Sequence, residues 1–264
     1  MLFSIINFVL QAKTIILKSR PSFWSSLTIL TILVNLTFAG SAIADKAPPR
    51  NYYRTQTIHN PDGIGKFYQD REIAKVMGHQ AMGWLERNSR EKQEQPQAVV
   101  DHLPINSKDR VADLGTGTGY FAFRIASLIP EGRVFAVDIQ PEMLSVVNEV
   151  KKRNQVENLE AILATETNLN LAPKSIDVAL MVDAYHEFAY PQEIMNNLFT
   201  ALKPGGKVVL VEYRQENPMI MIKPLHKMSQ KQVKKEMKTA NFRWQKTQEF
   251  LPEQHFMIFQ KPQI

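Results

Sequence analysis

One stretch constrains this chain more than any other: Val111 to Phe121, VADLGTGTGYF. Val111, Ala112 and Leu114 suit a buried strand, Gly115, Gly117 and Gly119 fall on alternate positions, and Tyr120 to Leu128 (YFAFRIASL) resumes with helical spacing. The pattern predicts strand, tight turn, helix. Glycine permits positive φ and close approach of the backbone to a ligand. A helix that begins just beyond such a turn presents free N–H groups to a polar or anionic group. The stretch is therefore predicted to hold a nucleotide-like cofactor.

The chain beyond it alternates. Arg133 to Asp138, Leu159 to Ala164, Ile176 to Val182 and Lys207 to Tyr213 read as short apolar strands. Helices are predicted from Pro141 to about Asn154 and from Pro191 to Leu202, the latter closed by Lys203-Pro204-Gly205-Gly206. Ser229 to Ala240 reads as a basic helix with Asn241 as a left-handed cap, and Phe242 to Leu251 and Gln254 to Lys261 as an antiparallel pair. The fold class is α/β: a Rossmann-like doubly wound sheet, mostly parallel, with a C-terminal antiparallel hairpin and helices on both faces. Ligands of such sheets sit at the strands' carboxyl ends. Asp113, Asp138, Thr165 with Glu166, and Asp183 lie at or near those ends.

Residues 1–44 are read separately, as a signal peptide or a membrane anchor. Phe23 to Ala39 is the most apolar run, Lys18 and Arg20 precede it, and Ala42-Ile43-Ala44 fits a small-x-small cleavage site. The expectation is export, to the periplasm, with membrane anchoring through this segment as the alternative. Residues 45–97 are predicted to form a linker and a helical lid, with one or two bent helices after the Asn60-Pro61-Asp62-Gly63 turn and a polar loop from Asn88 to Gln97. Tyr52, Tyr53, Phe67, Tyr68 and Trp84 either cover a pocket or pack this segment onto the main sheet, and His79 is read as structural. The cofactor domain is expected over 98–264.

Composition removes some classes. The chain has no cysteine, so it has no disulfide framework, thiolate metal site or cysteine nucleophile. Its net charge of +6 is carried by residues 1–44 and by the part beyond Arg214, while the middle is mildly acidic. That distribution, with aromatics not interleaved among basic residues, points away from nucleic acid. No metal-ligand motif is apparent, and oligomeric state is not readable.

The spacing G-x-G-x-G differs from the dinucleotide fingerprint G-x-G-x-x-G. Asp113 lies two residues before the first glycine, where an acid would repel a pyrophosphate and suit a cation. S-adenosylmethionine carries an ammonium and a sulfonium and no phosphate. Together VADLGTGTGYF, VFAVDIQPEML, IDVALMVDAYHEF and LKPGGKVVLVEY resemble the motifs of class I S-adenosylmethionine-dependent methyltransferases over about residues 100–260. The branch they resemble most methylates small molecules, as in ubiquinone and menaquinone biosynthesis. The resemblance implies S-adenosylmethionine as cofactor and a small-molecule substrate. It puts Asp113, Gly115 and Gly117 at the methionine end, within a turn that includes Thr116 and Gly119. It puts Asp138 at the ribose, Ile139 at the adenine, and Asp183, Ala184 and Tyr185 beside the methyl donor. Thr165 stands where many members have an acid, with Glu166 next to it.

Methyl transfer from a sulfonium needs proximity and in-line orientation, and a base only if the acceptor must lose a proton. His186 is the leading candidate base, with Glu187 beside it and Glu212 and His226 behind; the bland alternative is that His186 and Glu187 hydrogen-bond the loop. Two other functions share these features: an NAD-dependent oxidoreductase, and an exported or anchored non-catalytic binding protein of the same fold.

Overall fold

The structure is a computed structural model, described here for residues 51–263. The segment read as an export signal or anchor lies outside the described residues, and among those described no helix is long and apolar enough to cross a membrane.

Seven strands form the main sheet: β4 (Arg110–Leu114), β5 (Arg133–Asp138), β6 (Leu159–Leu163), β7 (Ile176–Val182), β8 (Leu202–Tyr213), β9 (Arg243–Gln248) and β10 (Gln254–Gln260). Their order is β6-β5-β4-β7-β8-β10-β9. Pairing is parallel from β6 to β8, and β10 runs antiparallel to both β8 and β9. The predicted architecture is thus the observed one. The chain leaves β4 in one direction and returns beside it as β7, so the order reverses between β4 and β7. A crevice opens at their carboxyl ends, where Gly115 and Asp183 begin the following loops.

Both faces of the sheet are buried, which is why its central strands read as near-continuous apolar runs. Leu114, Val137, Met181 and Leu210 pack with helices α5 (Pro191–Ala201) and α6 (Gln230–Thr239). Val111, Val134, Leu180 and Val209 pack on the other face with α2 (Pro96–Asp101), α3 (Tyr120–Leu128) and α4 (Pro141–Arg153). Ser229 caps α6, its hydroxyl accepting from the Gln232 N–H, and Asn241 takes the left-handed φ of 65° expected of a helix stop.

The helical lid is corrected. Residues 53–74 form a three-stranded antiparallel sheet, β1 (Tyr53–Thr55), β2 (Gly63–Tyr68) and β3 (Arg71–Ala74). Gln69 and Asp70 both adopt positive φ, 49° and 74°, and close a tight hairpin in which Tyr68 faces Arg71. Neither residue is glycine, so the turn carries a weak sequence signal, and the short apolar stripe fits a strand as well as a helix. Helix enters as a 3-10 turn, His79–Trp84, as α1 (Arg90–Gln93), which lies inside the stretch read as polar loop, and as the start of α2 at Pro96.

Two contacts fix this small sheet on the large one. The Arg71 guanidinium donates to both carboxylate oxygens of Glu236 on α6, at 2.9 and 3.0 Å, and to the His186 carbonyl at 2.9 Å. Tyr53 and Tyr68 bond Glu193 and Gln192 on α5. Of the five aromatics considered as a lid, these two therefore pack between sheets, and only Trp84 lines the cavity described next.

Candidate functional site

A cavity of about 630 Å³ occupies the crevice. Its floor is built from the loops after four parallel strands. Gly115 and Gly117 follow β4, Asp138 and Ile139 follow β5, Thr165 and Glu166 follow β6, and Asp183, His186 and Glu187 follow β7. Its roof comes from the segment after β3, including Met77, Trp84, Leu85 and Arg87. Asp113, Thr116 and Gly119 lie behind the wall and shape the turn.

The glycines are there for steric reasons. Gly115 and Gly117 have φ of 73° and 55°, and a Cβ on either would stand 2.6 Å from Ala184 Cβ or from Leu85 Cδ1. The Thr116 hydroxyl donates to Asp113 at 2.7 Å, and the Gly117 N–H donates to Asp138 at 2.9 Å. Asp138 also accepts from the Gln140 N–H at 2.9 Å, so it ties the turn to the end of β5 while still facing the cavity. From the roof, Glu86 accepts from the Thr118 hydroxyl. His79 contributes its backbone N–H to Gln140, in keeping with a structural role.

Carboxyls and cations both line the cavity, among them Glu94, Asp138 and Asp183 and Lys75, Arg87 and Lys223. Burial pushes the Asp113 carboxyl up to about 6, opposed by the Thr116 hydrogen bond and reinforced by Asp138. Burial also raises Asp138. Asp183 is raised well above the ordinary range by burial, then by Glu94 and Glu212. Its Oδ2 accepts from Gln254 at 2.6 Å, while Oδ1 is buried without a partner. Asp183 also holds a left-handed φ of 46°, a strain of roughly 1 kcal/mol. These buried carboxyls favour a ligand group that brings positive charge to the strand ends.

Sequence reasoning missed one part of this wall. Arg87 and Arg90 both bond Glu94, which also accepts from Tyr213 at 2.8 Å. Arg87 Nε is buried without an acceptor beside the cavity. The Arg90–Glu94 spacing of four on α1 was the available signal, hidden by the polar composition around it.

On the far side His186 is 2% exposed. Its Nδ1 lies 2.6 Å from Glu212 Oε2, and Glu212 Oε1 accepts from the Tyr185 N–H at 3.1 Å. Nε2 of His186 lies 3.1 Å from His226 Nδ1, and Glu187 Oε1 lies 3.4 Å from the same His226 atom. Burial disfavours charge on His186, but the Glu212 carboxylate outweighs it and raises the imidazole above its ordinary value. All four candidates for acid–base work thus form one cluster.

Residues 105–255 match the family model described as methyltransferase domain. The chain belongs to this methyltransferase family. An uncharacterized methyltransferase-like protein of Schizosaccharomyces pombe is 28% identical over 55% of this chain and 54% of its own length. A ubiquinone/menaquinone biosynthesis C-methyltransferase of Syntrophotalea carbinolica is 30% identical over 47% of this chain and 52% of its own. The chain thus spans about half the length of these curated relatives. A SAM-dependent methyltransferase from Aquifex aeolicus has the same fold, with a TM-score of 0.66 at 20% identity over 70% of this chain and 99% of that one. The methyltransferase domain over residues 105–255 thus has the fold of a SAM-dependent methyltransferase.

The raised Asp113 carboxyl has a measurable effect on the fold itself. A carboxyl whose folded value lies above the ordinary 3.8 binds its proton more tightly when folded. It therefore adds stability as pH falls from about 6 towards 4, and opposes folding above that window. Asp113→Asn is expected to raise the stability of the ligand-free protein at pH 7 by about 1–3 kcal/mol, and by little at pH 4. Urea denaturation at the two pH values measures this, and an equal change at both would contradict it.

Proposed function

We propose that this cavity binds S-adenosylmethionine across Gly115, Asp138 and Asp183 and transfers its methyl group to an apolar small molecule with an ionisable hydrogen. The observation that carries the placement is the set of raised carboxylates together with the unpartnered Asp183 Oδ1. The cofactor supplies a methyl group already activated on a cationic sulfur. Asp183 Oδ1 would take positive charge at the amino-acid end, and Arg87 Nε, a donor lacking a partner, would take the carboxylate. Asp138 retains lone pairs for ribose hydroxyls beside Ile139, whose exposed apolar face suits the adenine, with Thr165 and Glu166 at the rim.

The same cavity presents Met77, Trp84, Phe188 and Ile222, an apolar surface for the acceptor. The relatives named for ubiquinone and menaquinone biosynthesis make a ring-bearing acceptor a fitting choice. His186, oriented by Glu212, lines this space and, with His226 against its Nε2 and Glu187 beside them, would receive the acceptor's proton. The roof from Met77 to Arg87 covers part of this space.

Calorimetric titration of the full chain tests the placement. S-adenosylmethionine is expected to bind at one site, and Asp138→Ala to weaken it at least about tenfold, since a charged hydrogen-bonding partner is lost. Unchanged affinity in that variant would move the cofactor away from β5.

A further inference from the structure

We propose that His186, Glu187 and His226 form a binding site for one divalent first-row transition-metal ion, with a coordination position left open to the cavity. Among the described residues these three offer ligand atoms that converge. The separations are 3.1 Å from His186 Nε2 to His226 Nδ1, 3.4 Å from His226 Nδ1 to Glu187 Oε1, and 3.8 Å from His186 Nε2 to Glu187 Oε1. A triangle with those sides has a point about 2.0 Å from all three corners, the length of a zinc–nitrogen or zinc–oxygen bond. An ion lifted slightly out of that plane keeps three protein ligands on one side and a free position on the other.

The surroundings are built as metal sites are built. The other ring nitrogen of His186 is held by the fully buried Glu212 at 2.6 Å, which fixes the ring and leaves Nε2 as the lone-pair donor. The other Glu187 oxygen accepts from the Met77 N–H at 3.2 Å, which orients that carboxylate. Glu187 and Glu212 together offset the charge of a divalent ion. Two imidazoles and one carboxylate suit zinc, cobalt or iron rather than magnesium, which prefers an all-oxygen shell. The 3.1 Å contact between the two imidazoles is a hydrogen bond whose place the ion takes.

The open position seats an ionised oxygen of the acceptor and lowers that oxygen's pKa, so that in the ion-bound protein its proton leaves to water and His186 serves as a ligand in place of a base. This use rests on the methyl-transfer reading, but ion binding is measured without S-adenosylmethionine, so the two can fail separately. Full-length protein, freed of any affinity tag and stripped with a chelator, is titrated with Zn²⁺ alone and with Co²⁺ alone. One ion per chain is expected, with the visible absorption of four- or five-coordinate Co²⁺, and no competition from Mg²⁺. His226→Ala and Glu187→Gln, both at less buried positions than His186, are expected to weaken binding at least about tenfold. His255→Ala, at the separate His255–Glu216 pair, should leave it unchanged. Absence of stoichiometric binding, or equal binding by His226→Ala, overturns the site.

Discussion

Arg71→Met is expected to lower the free energy of unfolding by about 3–5 kcal/mol, the scale for removing one partner of a buried ion pair. Arg71 keeps 10% of its side chain exposed and Glu236 none. Without the guanidinium, Glu236 is a carboxylate with no water, left with only the Gln232 amide at 2.7 Å. The loss also frees the His186 carbonyl, so the loop after β7 loses its tie to the small sheet. The cost comes from the stranded charge more than from a missing attraction. Arg71→Met with Glu236→Leu is therefore expected to recover most of the stability, because an apolar pair of similar volume pays no desolvation. Urea denaturation of the two single variants and the double variant gives the coupling. A loss in Arg71→Met below about 1 kcal/mol would mean that the pair behaves as a solvent-exposed one.

The main sheet was legible because each of its signals is local. β7 is predicted and observed over Ile176–Val182, and Pro141 and Pro191 open their helices as N-terminal prolines do. The floor of the cavity was legible for the same reason: a parallel sheet puts whatever follows each strand into one crevice. Asp138, Asp183 and His186 could thus be brought together from two separate stretches without any tertiary contact being known.

The small sheet and the roof were not legible. The hairpin at Gln69-Asp70 depends on two left-handed residues that are neither glycine nor asparagine, and its pairing has no strong alternation to announce it. Arg87, Arg90 and Glu94 read as solvated charges in a polar segment. Only the packing of that segment against Tyr213 and the glycine turn makes them buried. Asp113 shows the limit in the other direction. Its position suggested direct ligand contact; its carboxylate accepts from Thr116, behind the residues that line the cavity. Spacing places a residue on an element; it does not say which side of a turn its side chain will take.

His186→Ala is expected to reduce the rate of methyl transfer by about 100- to 10,000-fold, the range of a positioned acid–base group, with S-adenosylmethionine affinity within about twofold of the parent. Glu212 Oε2 accepts from Nδ1 of His186, so the neutral ring carries its proton there and turns the Nε2 lone pair towards His226 at the cavity wall. Glu212→Gln tests the same point without removing the imidazole. One carboxamide group must serve both the Tyr185 N–H and His186 Nδ1. Its oxygen stays with the N–H, and its NH₂ then donates to Nδ1. That forces the ring proton onto Nε2, where the lone pair is lost whether a proton or an ion would have met it. The rate should therefore fall in Glu212→Gln although the fold and the cofactor site persist. Label transfer from S-adenosylmethionine into a small-molecule extract measures the rate, and calorimetry the affinity. If both variants lost affinity and rate in parallel, His186 and Glu212 would be shaping the cavity, and the proton would be going elsewhere.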